Sequence, residues 1–215
     1  MFNKSLVLWL GVFLMLKSQL ANSQPTMADS SHTNDFVVSY GIQLDTDRKK
    51  TSVGDAYDGG SKTIFISDNK VRIRLVSLMR IESLFFFSDS TGTSIYQLKE
   101  SGKKATRREL KEEEWKTLNN KYDSARYELH NGGGKKILGY ACKKATVHLK
   151  DGRTITCFYT EQIPALPFIY EPAFAGLPGL VLEYTYNYKS GAATYTALSV
   201  KTDRVSPGIF LVSNQ

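Results

Sequence analysis

Residues 176–188 read Gly-Leu-Pro-Gly-Leu-Val-Leu-Glu-Tyr-Thr-Tyr-Asn-Tyr, a stiff turn running straight into a strand. Pro178 has a fixed φ and no N–H to donate, and Gly179 can take the positive φ that a type II turn asks for. Leu182, Tyr184, Tyr186 and Tyr188 then fall on one face, and Glu183, Thr185 and Asn187 on the other, because side chains alternate along an extended chain. Three tyrosines on one face make a broad wall with polar tips. Such a wall suits either the inner face of a sheet or the lining of an apolar pocket.

The rest of the chain repeats the period of two. Phe36, Val38, Tyr40, Ile42 and Leu44 alternate with Ser39, Gly41 and Gln43. Ile64 and Ile66, a turn at Asp68-Asn69, and Val71, Ile73 and Leu75 predict a hairpin. Residues 77–88 and Ile95–Leu98 add strands, separated by turns at 90–92 and 101–104. Thr106 and Glu109 have the spacing of a capping box and predict a helix that carries Leu110, Trp115 and Leu118 and ends near Asn119-Asn120. Strands resume at 126–129. A long hairpin follows, 137–149 with 154–163 about Asp151-Gly152. A two-residue turn there sets Cys157 opposite Thr146, too far from Cys142 for a disulfide, so two free buried thiols are expected. Pro164, Pro167 and Pro172 hold residues 164–175 out of a ladder and predict a loop packed by Phe168, Tyr170 and Phe174. A last hairpin joins 180–188 to 193–200. About nine or ten strands and one helix result. Short links force antiparallel pairing. The fold class is mainly β: a single strongly curved antiparallel sheet, a half-barrel, with one helix packed on its concave side. A closed β-barrel or a β-sandwich is the alternative.

The first residues belong to targeting rather than to the fold. Lys4 precedes an almost wholly apolar run, Ser5–Leu16, and Ala21-Asn22-Ser23 offers small residues to a signal peptidase. We read 1–23 as a signal peptide cleaved before Gln24, 24–34 as a flexible lead-in, and 35–215 as one β-rich domain. The apolar run is short for a membrane span, and no later run could serve as one. Cleavage removes Lys4 and Lys17 and no acid, so the formal charge of +7 falls by two. The remaining cations are scattered, with no nucleic-acid recognition motif. The periplasm or cell envelope is the expected compartment, with secretion as a further outcome, and nucleic acid is not an expected partner.

Motifs for catalysis are missing. There is no Gly-x-Ser-x-Gly and no glycine-rich phosphate loop. His32, His130 and His148 sit in no metal-ligand pattern, and Cys142 and His148 are too far apart along one strand to share an ion. Glu161 and Glu171 read as surface acids. No cofactor is expected. The aromatics leave two readings open: a core between sheet and helix, or a cavity with hydroxyls at its mouth, the usual build of a small-ligand site.

Gly139-Tyr140-Ala141-Cys142-Lys143-Lys144-Ala145, then Phe158-Tyr159-Thr160-Glu161-Gln162-Ile163, then Gly176-Leu177-Pro178-Gly179-Leu180-Val181 together resemble the GLPGLI family of exported bacterial proteins. Lys70-Val71-Arg72 and residues 88–98 resemble its N-terminal half. The likeness spans roughly residues 36–204. Val181 stands where the name-giving motif has Ile, and Phe158 where Trp is common. The resemblance brings no catalytic residue. By looser analogy it implies a half-barrel like those of periplasmic lipoprotein carriers, which hold acyl chains between sheet and helices. The expected function is non-catalytic binding or carriage of a hydrophobic ligand, a lipid or acyl chain, at Trp115, Phe168, Phe174, Leu182, Tyr184, Tyr186 and Tyr188. One alternative is an envelope assembly protein that docks a protein partner through a strand edge or the proline loop. An unrecognised hydrolase is the other.

Overall fold

The computed structural model describes residues 35–45, 58–167, 169–188 and 191–212. The signal peptide and lead-in read at 1–34 lie outside the described residues, as does Phe168. The strands are β1 (Phe36–Asp45), β2 (Ser61–Ser67), β3 (Lys70–Val76), β4 (Ile81–Asp89), β5 (Gly92–Ser101), β6 (Lys104–Leu110), β7 (Arg126–Leu129), β8 (Lys135–Ile137), β9 (Tyr140–His148), β10 (Thr154–Thr160), β11 (Leu180–Tyr188) and β12 (Gly191–Lys201). One helix, α1 (Glu112–Leu118), lies between β6 and β7.

All twelve strands form one sheet in the order β6-β5-β4-β3-β2-β1-β12-β11-β10-β9-β7, with β8 also paired to β9. The first and last strands meet in the middle. Two meanders run outward from that β1–β12 seam, and every pairing is antiparallel. β6 and β7 do not pair, so the sheet is an open half-barrel and neither a closed barrel nor a sandwich. The register shifts between Ser39 and Tyr40 on β1 and between Phe158 and Tyr159 on β10. Such bulges sharpen local bend and twist.

Alternation sorts the core. Val38, Ile64, Val71, Phe86 and Ile95 on one meander and Tyr184, Cys157, Ala145 and Val147 on the other are buried in one cluster on the inner face. Trp115 of α1 packs edge-on against Phe86, with ring centroids 5.4 Å apart. Its Nε1–H donates to the Ile169 carbonyl at 3.1 Å, which ties the helix to the proline loop. The outer face carries Phe85, fully buried under the Arg72 guanidinium and beside Phe87. Arg72 also donates to the carbonyl of Ile209 at 3.0 Å and so fastens the C-terminal turn Pro207–Phe210 across this face.

Several local expectations are corrected. Thr106 and Glu109 are not a capping box but lie in β6, opposite Lys99 and Tyr96. A run of ladder pairs outweighs a single cap, and α1 begins instead after Lys111 with Glu112, Glu113 and Glu114 in its first turn. Acids there suit the positive end of the helix dipole. The expected strand 137–149 is broken by Leu138 and Gly139, whose φ values of 52° and 86° make a tight β8–β9 turn. The β9–β10 register differs by one residue from the two-residue-turn reading: Cys157 faces Ala145, not Thr146. The Leu149 N–H donates to the Arg153 carbonyl at 2.8 Å, so three residues span the turn, with Gly152 at φ 80°. Gly179 does not take a positive φ. Its role is close approach to the neighbouring chain.

Candidate functional site

The inner face is not filled everywhere. A cleft of about 280 Å³ lies between the sheet, α1 and the proline loop. Its sheet wall is an aromatic and aliphatic row: Tyr184 and Tyr186 of β11, Tyr195 of β12, and Ile73, Leu75 and Leu84 of the other meander. Its roof is Trp115, Asn119, Tyr122 and Tyr170. The register explains the wall: Tyr195 pairs with Tyr184, and Ile73 with Leu84, so alternate side chains from adjacent strands share the inner face. Tyr184 and Tyr195 stack at 4.6 Å with planes 11° apart. Tyr186 stands edge-on to Tyr184, and its hydroxyl lies 3.2 Å from that of Tyr122.

The floor holds charge. Lys62 Nζ donates to Glu171 Oε1 at 2.5 Å and to the Tyr184 hydroxyl at 3.0 Å. The two charged side chains are only 12% and 13% exposed. Lys62 points inward because β2 pairs it with Tyr40, whose side chain is buried and whose hydroxyl donates to the Val181 carbonyl at 2.8 Å. The ammonium therefore lies over the Tyr40 and Tyr184 rings, 5.8 and 5.3 Å from their centroids. Burial pushes the Tyr184 and Tyr40 phenols well above their ordinary range, and the Glu171 carboxylate raises both further. Burial raises Tyr186 too, with Tyr122 adding to it. These phenols stay protonated and serve as neutral hydrogen-bonding groups.

The expected site residues divide. Trp115, Tyr184 and Tyr186 come together in the cleft. Leu182 is fully buried in the core and does not line the cleft; it sits at the register shift where β10 and β11 part from regular pairing. Phe174 is buried against Tyr184, 4.9 Å between centroids, and does not itself line the cleft. Tyr188 closes β11. Sequence reading missed Lys62, Tyr122, Tyr195 and the aliphatic half of the wall, which comes from strands distant in the chain. It also took Glu171 for a surface acid. An acid lodged between Tyr170 and Pro172, in a loop otherwise apolar, was the available signal. Glu161 is on the surface, paired with Lys143 at 2.8 Å.

Among the described residues, the cleft lining contains no Ser, Thr, Cys or His side chain. Among the described residues, no group of three or more His, Cys, Asp or Glu could hold a metal ion. His148 Nε2 lies 3.1 Å from Glu128, and His130 Nε2 lies 2.9 Å from the Thr146 hydroxyl, both away from the cleft. No helix among the described residues is long and apolar enough to cross a membrane.

Fold and cleft define a class: an open antiparallel half-barrel with an aromatic recess under helix α1. No family model matches this chain, and no curated protein matches it. Among solved structures it is similar to the Mycobacterium tuberculosis lipoprotein LppX, with 12% identity and a TM-score of 0.35 over 81% of this chain and 90% of that one. It is also similar to a β-barrel-like protein of the domain of unknown function DUF1849 from Brucella abortus, with 10% identity and a TM-score of 0.38 over 79% of this chain and 98% of that one. Values this low say nothing of ligand or activity.

Proposed function

We propose that this chain is an exported, non-catalytic envelope protein of the GLPGLI family that binds a hydrophobic ligand in the cleft beneath α1. The observation that carries this reading is the unfilled aromatic recess itself. A wall of three tyrosines and three aliphatic side chains, roofed by Trp115, buries apolar surface, and the Lys62–Glu171–Tyr184 cluster offers a few convergent polar groups. That combination is the general build of a small-ligand site. The volume of about 280 Å³ falls just under the range for such sites, about 300–1,000 Å³. It suits one acyl segment or one compact apolar group rather than a whole diacyl lipid. A partner docked on the proline loop has less to support it, because Pro172, Ala173 and Phe174 are buried against the sheet.

Two measurements test the reading. Protein purified from its own host is analysed by native mass spectrometry and then by organic extraction. A co-purifying amphiphile lost on extraction is the expected result. A stoichiometric protein partner with no small molecule would replace the ligand reading with the assembly reading. N-terminal sequencing of the same material is expected to begin at Gln24 or within a few residues of it, and a retained Met1 would overturn the export reading.

A further inference from the structure

The turn between β3 and β4 ends in two bare apolar side chains. Leu78 is 83% exposed and Met79 67%. The turn is built to hold them out: the Ser77 N–H and hydroxyl both donate to the Arg80 carbonyl, at 2.9 and 3.0 Å. It is also braced from the side, because the Ser101 hydroxyl, at the start of the β5–β6 turn, donates to the Met79 carbonyl at 3.2 Å. That second turn carries Lys103 and Lys104, both exposed, and Arg80 beside Met79 is exposed as well. Residues 77–80 and 101–104 thus present three cations and no acid. Leu118, Leu129, Leu138, Leu198 and Leu211 are exposed too, but each stands alone in the chain. Among the described residues, only Leu78 and Met79 are neighbours on one turn.

This tip sits at the same end of the sheet as the cleft. Leu75 and Glu82 line the cleft, and they are the pair next to Val76 and Ile81, the last pair before the turn. We propose that the two turns form a docking tip for an anionic lipid bilayer, with Leu78 and Met79 entering the headgroup boundary while Arg80, Lys103 and Lys104 meet lipid phosphates. The proposal rests on the hydrophobic-ligand reading and deepens it, since a ligand of that kind resides in a lipid phase and must be collected from one. Apolar insertion combined with a basic surround is how a peripheral protein holds an anionic membrane reversibly.

Vesicle flotation tests this. The probes are vesicles of phosphatidylcholine alone and of phosphatidylcholine mixed with phosphatidylglycerol. The protein is expected to float with the mixed vesicles and much less with the neutral ones. Leu78→Asp with Met79→Asp is expected to lower partitioning by at least about ten-fold, from the lost apolar burial alone. Lys103→Glu with Lys104→Glu is expected to remove the preference for phosphatidylglycerol, which added salt also weakens in the parent protein. All four positions are exposed, so both variants keep the fold, checked by circular dichroism. They also keep their affinity for a water-soluble fatty-acid probe of the cleft. Absence of flotation by the parent protein, or equal flotation by the Leu78/Met79 variant, overturns the proposal. Flotation without any probe binding would instead overturn the cleft reading and leave the docking tip standing.

Discussion

A β-carbon placed on Gly179 would stand 2.0 Å from the carbonyl oxygen of Thr160. One placed on Gly176 would stand 2.3 Å from the Tyr127 ring. Both glycines of the Gly-Leu-Pro-Gly segment are therefore fixed by contact rather than by backbone angle. Gly179 lets β11 start flush against the end of β10, where the Leu180 N–H donates to the Ile163 carbonyl at 3.0 Å. Gly179→Ala is expected to lower stability by about 3 kcal/mol, since backbone must move to admit the methyl group. Gly132→Ala is the control: nothing lies within 4 Å of it, and the change is expected to stay within about 0.5 kcal/mol. Urea denaturation reads both.

Lys62→Met leaves Glu171 buried without its counter-ion. An uncompensated buried charge is costly, and a loss of about 3 kcal/mol is expected. Lys62→Met with Glu171→Leu removes both charges and is expected to recover most of that loss, because a buried pair is often replaceable by apolar side chains of similar volume. The full double-mutant cycle, measured by urea denaturation, gives the coupling. A double variant as unstable as the single one would mean that the Tyr184 and Tyr40 contacts of Lys62, not the ion pair, hold the floor together.

The strand period was legible almost throughout, because one buried face and one solvated face leave a clear alternation in residues such as Val38 to Ile42 and Tyr184 to Tyr186. The single open sheet followed from short links and the lack of a second helical layer. What the sequence concealed was mostly two-body information. The β1–β12 seam joins the two ends of the chain and leaves no local trace. Lys62 is in phase with Ile64 and Ile66 on the inner face of β2, and the acid that stabilises a cation there comes from the distant proline loop, which no local pattern announces. The helix start was misplaced because Thr106 and Glu109 satisfy a local rule that the β5–β6 ladder overrides. The β8–β9 turn was hidden because Leu138 adopts a backbone conformation usually left to glycine or asparagine.

Cys142 and Cys157 lie on opposite faces of the sheet. Cys157 faces Ala145, three positions from Cys142, and an odd separation on one strand changes face. Both thiols are free and buried. Titration with a thiol reagent is expected to find no fast-reacting group in the native protein and two in urea. Non-reducing peptide mapping should recover no Cys142–Cys157 bridge even from oxidised protein, because the sheet itself stands between the two sulfurs.

Alkaline pH should weaken the fold. Burial lifts the Cys157 thiol from its ordinary 9.0 to about 12, and burial also holds the Tyr40, Tyr184 and Tyr186 phenols well above 10.0. Below pH 9 each group is protonated in both states and the stability is fully present. Above that, the unfolded chain loses protons that the native one keeps, so stability falls as pH rises, by about 1.4 kcal/mol per pH unit for each group in that condition. Urea midpoints at pH 7, 9 and 11 are expected to drop between the last two far more than between the first two. Cys157→Ala should make the drop shallower. A midpoint unchanged from pH 9 to 11 would mean that these groups are reached by water in the native state.

Tyr186 and Thr185 are adjacent in β11 and face opposite ways, which makes them a matched test of the cleft. Tyr186 lines the recess, and Thr185 bonds across the outer face to Thr194 at 2.9 Å. Tyr186→Asp puts a charge into an apolar site, and a fluorescent fatty-acid probe is expected to bind at least about ten-fold more weakly. Thr185→Asp is expected to leave probe binding unchanged. Because Tyr186→Asp also strains the wall, Trp115→Ala provides an independent approach from the roof. It removes the helix's contact with Phe86 and is expected to weaken the probe while circular dichroism still reports the sheet. Equal loss of binding in the two aspartate variants, both folded, would assign the probe to some other surface. No binding by the parent protein would make the recess a packing gap, and the tyrosine wall would then be core alone.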